Sequence, residues 1–135
     1  MSEMHLTIRT PEATRYDGPV TRVSGATELG ELQVYPGHAA MTAVIDFSRL
    51  VVENGDHQEV FLLKQGMLHT DPVTNRTDIL ALYCQKVEEA DLKTLQDYRL
   101  YILEKLQNKE SLSPYRATFL EESKIAVEKQ IESAS

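Results

Sequence analysis

The sequence predicts an α+β protein in which an antiparallel β-sandwich of about ten strands precedes an antiparallel hairpin of two helices. Before residue 86, short segments of alternating apolar and polar residues are separated by turn residues every 8 to 12 positions or so, which is typical of sandwiches. After residue 86, apolar residues recur every three to four positions, as in amphipathic helices. All glycines precede this change, and Gly66 is the last of them. We therefore expect a β-sandwich domain at residues 1–86 and a helical hairpin domain at residues 87–135.

The first strands follow from alternation and from turn chemistry. Residues 6–10 alternate between inward apolar and outward polar positions, which predicts a half-buried strand. Tyr16-Asp17-Gly18-Pro19 has the composition of a tight reversal, so Asp17 and Gly18 are expected to form a structural turn. Residues 24–27 are predicted to be a loop.

Four later features complete the predicted strand domain. Glycine tolerates positive φ, so Gly30 and Gly66 are interpreted as structural turns. Between residues 30 and 42, a short strand containing Leu32 is ended by Pro36-Gly37, because proline has no N–H to donate. An Asn-Gly turn at residues 53–56 predicts a hairpin.

The helical domain is predicted from spacing and from an N-terminal cap. Ser113 is a good N-cap and Pro114 suits the first helical position, so a second helix is expected to begin there. The first helix carries apolar residues at Leu92, Leu95, Tyr98, Ile102 and Leu106. Isolated helices of this length are marginal in water, so we expect the hairpin to dock on the sandwich or on a partner.

Composition excludes several classes of function. A formal net charge of −7 argues against a nucleic-acid partner, since such proteins usually carry a basic face. The single cysteine, Cys84, cannot form an internal disulfide and lies among apolar residues, where we expect it to be buried. The four histidines show no metal-ligand spacing, and no catalytic pair stands out, so we expect no metal, no cofactor and no enzymatic activity.

Several short segments together point to a family. They are Thr10-Pro11-Glu12, Tyr16-Asp17-Gly18, Gly30-Glu31-Leu32, Tyr35-Pro36-Gly37-His38-Ala39 and Gly66-Met67-Leu68. In order and spacing this set resembles the epsilon subunit of bacterial F-type ATP synthases, over about residues 5 to 86. None of the segments would be diagnostic alone.

The resemblance implies a non-catalytic rotor subunit in the central stalk of a proton- or sodium-translocating F-type ATP synthase. Its expected partners are the gamma subunit and the c ring, with the alpha/beta catalytic head as a further candidate. The interface residues implied are Glu31, Tyr35, Pro36, Gly37 and His38, although a structural hydrogen bond is an alternative role for His38. The resemblance also implies peripheral association with the cytoplasmic face of the inner (plasma) membrane, only through the complex.

Departures from the family pattern bear on regulation. In many bacterial members the first helix carries a nucleotide-binding motif, of which Asp91 is the only remnant here, so no nucleotide site is expected. The family's hairpin can lie on the sandwich or extend towards the catalytic head and restrain ATP hydrolysis. The second helix here is rich in glutamate, so we expect weak or absent restraint. A diverged stand-alone adaptor that binds another protein remains the alternative function.

Overall fold

The computed structural model describes residues 3–27 and 30–134. The two predicted domains also include residues 1, 2, 28, 29 and 135, which lie outside the described residues. In this part of the chain seven strands form one sheet. They are β1 (Met4–Arg9), β2 (Thr14–Val20), β3 (Arg22–Thr27), β4 (Gly30–Val34), β5 (Met41–Asn54), β6 (His57–Asp71) and β7 (Arg76–Lys86). Two helices follow, α1 (Leu92–Gln107) and α2 (Pro114–Ala134). The strand order is β2-β1-β7-β6-β5-β3-β4.

The three longest strands, β5, β6 and β7, share one bend. At this bend one residue of each strand has no partner in the β-ladder: Asp46, Gln65 and Leu82. Gln65 also has a positive φ of 54°. A residue that leaves the ladder in this way bends a strand and changes which face the following side chains point to. On β5, for example, the inward-facing residues switch from odd numbers at Ile45 to even numbers at Leu50. The two halves of the sheet thereby enclose one apolar core.

The predicted fold class, a β-sandwich followed by a two-helix hairpin, is confirmed. The described part of the chain has seven strands rather than about ten, because three of them run uninterrupted through the bend. The sheet is also mixed rather than wholly antiparallel, since β1 pairs with β7 in parallel.

The prediction of a turn at Asp17 and Gly18 is wrong. Both residues lie within β2 and pair with β1. The chain reverses earlier, where the Thr10 N–H donates to the Ala13 carbonyl at 2.9 Å. β2 is an edge strand of the sheet, and an edge strand tolerates a residue without an N–H, such as Pro19.

The predictions of a turn at Gly66 and of a loop at residues 24–27 are also wrong. Gly66 lies inside β6, and a Cβ added there would be 2.7 Å from Cδ2 of Leu63. A glycine is therefore needed for close packing and not for chain reversal. Residues 24–27 belong to β3, where the Ser48 hydroxyl accepts a hydrogen bond from the Ala26 N–H at 3.0 Å. Gly30 does have a positive φ of 137° and begins β4.

The helical hairpin packs on the outer face of β5 and β6. Phe47 and Leu62 from these strands join a second apolar cluster with buried residues of both helices. Those of α1 are Leu95, Tyr98 and Ile102, and those of α2 include Leu120 and Val127. The hairpin was expected to dock on the sandwich or on a partner, and it docks on the strands of its own chain. At the start of α2 the Ser113 hydroxyl accepts from the Arg116 N–H at 3.1 Å, which is the predicted N-cap.

Candidate functional site

The turn after β4 is held by one local hydrogen bond and by one to a distant residue. The His38 N–H donates to the Tyr35 carbonyl at 3.0 Å, and Gly37 between them has a φ of 77°, which favours glycine. The Gly37 N–H donates to the side-chain oxygen of Asn75 at 3.3 Å. Tyr35 itself is exposed. The turn therefore presents its side chains from a fixed backbone.

Asn75 anchors this turn to the rest of the strand body. Its side-chain amide donates to the Glu3 carbonyl at 2.7 Å while its oxygen accepts from Gly37. Asn75 adopts a φ of 54°, a conformation that asparagine accepts more readily than most residues. The sequence does not predict this contact, because nothing local indicates a partner 38 residues away.

The imidazole of His38 is oriented by its own backbone neighbour. Its Nδ1 lies 2.8 Å from the Ala39 carbonyl oxygen. A carbonyl oxygen can only accept, so Nδ1 carries the hydrogen in this geometry. The other ring nitrogen, Nε2, is then the atom available to a partner. His38 can therefore form the structural hydrogen bond through Nδ1 and still offer Nε2 to a partner.

Glu31 lies at the opposite end of β4 from this turn. About 13 Å of strand separates it from Tyr35, since four residues rise by about 3.3 Å each. Its side chain is exposed, and Oε2 accepts a hydrogen bond from the Ser113 hydroxyl at 3.3 Å. Glu31 also lines a groove of about 530 Å³ whose far wall is residues 41–44. The residues predicted to form an interface thus lie at, or just beyond, the two ends of β4.

An exposed apolar row continues from this groove. Val44 pairs with Met67, and Met67 pairs with Leu80, so the three side chains lie side by side across three strands. Together with Leu82, each is more than half exposed. They line a second groove of about 670 Å³, with Lys105 of α1 at its rim. Contiguous exposed apolar side chains of this kind mark interaction surfaces.

The apolar row was missed at the sequence level, although a signal exists. Residues 79–84 are an unbroken apolar run within one strand. Such a run indicates that both faces of the strand are covered, one by the core and the other by something else. Val44 lines both grooves, so the surface runs continuously from Glu31 to Leu82.

Three features bear on the chemistry of the described residues: the placement of metal-ligating side chains, the thiol of Cys84 and the carboxylate of Asp91. Within residues 3–27 and 30–134, no three His, Cys, Asp or Glu side chains converge as metal ligands would. Burial raises the pKa of Cys84 to about 12, so its sulfur is a thiol and a poor nucleophile at neutral pH. Asp91 caps α1 by accepting from the Thr94 N–H at 3.1 Å. This hydrogen bonding with Thr94 lowers the pKa of Asp91.

No helix in the described part of the chain is both long and apolar enough to cross a bilayer.

Comparison with known proteins shows the family of the chain. Residues 3–85 match the family described as ATP synthase, Delta/Epsilon chain, beta-sandwich domain. The chain belongs to this family. The resemblance inferred from the motifs is confirmed. Among the relatives, the ATP synthase epsilon chain of Anoxybacillus flavithermus is 29% identical over 92 residues, which are 68% of this chain and 67% of the relative. That of Bacillus mycoides is 22% identical over 116 residues, 86% of each chain.

Two solved structures show a fold similar to that of the whole chain. A chain in the Euglena gracilis mitochondrial ATP synthase, OSCP/F1/c-ring, matches with a TM-score of 0.64 at 23% identity, covering 99% of this chain and 82% of that one. A chain in the central stalk/c-ring of the Tetrahymena thermophila mitochondrial ATP synthase matches with a TM-score of 0.57 at 18% identity, covering 99% and 98%. At these identities the similarity is one of fold. It includes the hairpin as well as the strand domain of the delta/epsilon family.

Proposed function

We propose that this chain is a rotor subunit of an F-type ATP synthase and links the gamma subunit of the central stalk to the c ring. Membership of the delta/epsilon family and relatives named as ATP synthase epsilon chains support this role. The observation that carries it is the continuous surface from Glu31 to Leu82. The carboxylate of Glu31 lies at one end of that surface and the row of Val44, Met67 and Leu80 lies at the other, so the two ends suit different partners.

The polar end is assigned to the c ring. It comprises Glu31, and the turn formed by Tyr35, Pro36, Gly37 and His38, at the other end of β4, is assigned to the same partner. Glu31 offers an exposed carboxylate, and the turn offers an oriented imidazole on a backbone held by Asn75. Such groups suit the polar loops of a membrane ring, because charge-assisted hydrogen bonds fix orientation and register.

The apolar end is assigned to gamma. Val44, Met67 and Leu80 form a row that runs across three strands, and a protein partner would bury it. Burying apolar surface supplies most of the free energy of a stable protein interface. A rotor subunit needs such an interface because it must turn with the stalk as one body.

The role is non-catalytic and peripheral. The buried thiol of Cys84 and the capping carboxylate of Asp91 are structural groups, and neither is placed to act on a substrate. The chain would be held at the cytoplasmic face of the membrane through its partners. The hairpin, packed on the strand body, would restrain ATP hydrolysis weakly or not at all.

Affinity capture tests both assignments. The full chain should retain the gamma subunit and the c ring of its own synthase. Met67→Glu combined with Leu80→Glu should reduce gamma capture at least tenfold, because two charges would be buried in the interface. Leu100→Glu is the matched control, since Leu100 and Leu80 are both 61% exposed but Leu100 lies on α1. A wild-type chain that retains neither component would favour the stand-alone adaptor instead.

The polar end is tested in the same assay. Glu31→Gln and His38→Ala should weaken capture of the c ring and leave capture of gamma unchanged. Equal loss of both partners would contradict the division of the surface into two ends.

A further inference from the structure

In the described part of the chain, the first half of β5 is paired on one side only. From Met41 to Asn54 this strand pairs with β6, but on its other side it pairs with β3 only at residues 51–53. We propose that residues 41–47, here called the open edge, accept an extended segment of the gamma subunit as an added strand. This inference rests on the proposed function and deepens it, because it states how gamma is bound.

The contact between β3 and β5 ends at Ser48. The Ser48 hydroxyl accepts from the Ala26 N–H of β3 at 3.0 Å and donates to the Arg49 carbonyl at 2.8 Å, so a side chain takes the place of a backbone acceptor of β5. Gly25 still lies close to β5, since a Cβ added there would be 3.4 Å from the Arg49 carbonyl oxygen. Among the described residues, no pairing of β3 with β5 continues from Ser48 towards Met41. The open edge begins there.

The open edge carries backbone groups that can pair with another chain. In an antiparallel ladder every second residue directs its N–H and C=O away from the partner strand. Between residues 41 and 47 these groups point away from β6, on the side where β3 has separated. A row of unpaired backbone groups is a template for an added strand.

The open edge also differs from the outermost strands of this sheet, which carry protective features. Edge strands usually avoid pairing with other chains by being short or by carrying charged residues or proline. Of the two outermost strands, β4 has only five residues and β2 contains Asp17 and Pro19. Residues 41–47 contain no proline, and their only charged residue, Asp46, lies at the bend. This segment is therefore suited to accept a strand.

The open edge faces a groove with room for an extended chain. The groove of about 530 Å³ has residues 41–44 on one wall and Thr27 and Leu32 on the other. A strand residue takes up roughly 160 Å³, the product of its rise, the spacing of strands and the spacing of packed sheets, so the groove holds about three residues. Met41 and Ala43 are half-buried and pack against the core, so the inward side chains of the occupant should be apolar.

Continuity with the apolar row identifies gamma as the occupant. The row runs from Leu80 through Met67 to Val44, and Val44 also lines the groove at the open edge. A strand added there would be the next neighbour of Val44 in the same sheet, so its outward side chains would extend the row by one position. The partner that covers the row therefore also reaches the open edge.

Amide hydrogen exchange of the full chain alone tests whether the edge is open. Followed residue by residue by NMR, every second amide between residues 41 and 47 should exchange at least tenfold faster than its neighbours, because only the neighbours are bonded to β6. Uniformly slow exchange would show that the edge is already covered and would overturn the proposal. This measurement does not involve gamma, so it is independent of the proposed function.

The same measurement on the chain bound to gamma tests the added strand. The fast amides of the open edge should slow at least tenfold. The amides on the outer edge of β2, at the other side of the sheet, are the matched control and should keep their rates. Unchanged fast amides in a chain that has bound gamma would overturn the added strand and leave the proposed function intact. Absence of gamma from the capture assay would instead count against the proposed function, and with it against this inference.

A pair of proline substitutions separates backbone pairing from side-chain contact. Thr42 and Ala43 are neighbours, so one N–H faces β6 and the other faces the open edge, and the exchange pattern identifies which. Of Thr42→Pro and Ala43→Pro, the one at the fast-exchanging position removes only a donor at the open edge. That variant should unfold within a few degrees of the wild type and capture gamma about fivefold less. The other is the matched control and should lower the unfolding temperature. Unchanged gamma capture by the stable variant would overturn the proposal.

Discussion

The hydroxyl oxygen of Tyr98 on α1 accepts a hydrogen bond from the backbone N–H of Arg49 on β5, with 3.0 Å between the two atoms. Tyr98 is 1% exposed, and burial raises the pKa of its phenol. The Arg49 side chain meanwhile donates to the Ser123 hydroxyl of α2 at 3.2 Å and lies over the ring of Phe119. One strand residue thus holds both helices against the body.

Removing the Tyr98 hydroxyl should destabilise the chain. Tyr98→Phe leaves the buried Arg49 N–H without this acceptor, so we expect a loss of about 1–2 kcal/mol in the free energy of unfolding. Urea titration of the two proteins measures it. Tyr115→Phe serves as the control because Tyr115 is 66% exposed, and it should change the free energy by less than about 0.5 kcal/mol.

Asp91 should behave as a helix cap. Asp91→Ala removes the acceptor of the Thr94 N–H and should lower the free energy of unfolding by about 1 kcal/mol. Asp91→Asn keeps an acceptor oxygen and should retain most of that stability. Thermal unfolding checks the order of the three proteins, and equal stability of the alanine variant and the wild type would contradict the capping role.

The pH dependence of the same residue has a defined sign. Hydrogen bonds from Thr94 lower the pKa of Asp91 in the folded chain, so its charge stabilises the fold above the ordinary aspartate pKa of about 4. This contribution is lost as the pH falls through the lower, folded value. The advantage of wild type over Asp91→Asn should therefore shrink between about pH 5 and pH 2 in urea titrations. A difference that stays constant over this range would show that the charge plays no part.

Gly66 should not tolerate a methyl group. A Cβ there would lie 2.7 Å from Leu63 and 3.3 Å from the Leu80 carbonyl oxygen, so Gly66→Ala must displace packed atoms. We expect a loss of about 1–3 kcal/mol in the free energy of unfolding. Gly18→Ala is the comparison, because its Cβ would meet only the Tyr16 ring at ordinary contact distances, the nearest atom being at 3.8 Å. Equal effects of the two substitutions would argue against tight packing at Gly66.

Removal of the hairpin should have little effect on ATP hydrolysis. In the assembled synthase, a chain that stops after Lys86 should leave the ATPase rate within about twofold of the intact complex. The reason is that the hairpin packs on the strand body and that α2 carries four glutamates among residues 121–132, which disfavours attraction to any surface of like charge. Steady-state ATPase assays measure this, with gamma content checked in both preparations. A several-fold rise in rate would show that the hairpin restrains hydrolysis.

The local elements were predictable where the deciding interactions are local. Ser113 and Pro114 mark the start of α2 because capping depends on residues within one turn. The apolar spacing of α1 identified the face that packs on the strands, and Tyr98 lies at its centre. The set of short segments that includes the one around His38 indicated the family. In each case the information lies within a few residues of sequence.

Predictions that depended on distant contacts went wrong. Asp17 and Gly18 have turn chemistry, but pairing with β1 keeps them extended, since tertiary context overrides local propensity in strands. Gly66 suggested a break in the strand, and its actual role follows from Leu63, with which it packs. The apolar row of Val44, Met67 and Leu80 forms only when three strands align in register.

The sequence by itself determined that strands come first, that two amphipathic helices follow, and that the turn at residues 35–38 carries the family motif. Only the tertiary structure decided that Asn75 anchors this turn, that Arg49 holds the hairpin down, and that Glu31 meets Ser113. The physical reason is the separation along the sequence over which each interaction acts. Periodicity and capping act over a few residues, whereas Glu31 and Ser113 are 82 positions apart and are brought together only when the hairpin packs on the sheet.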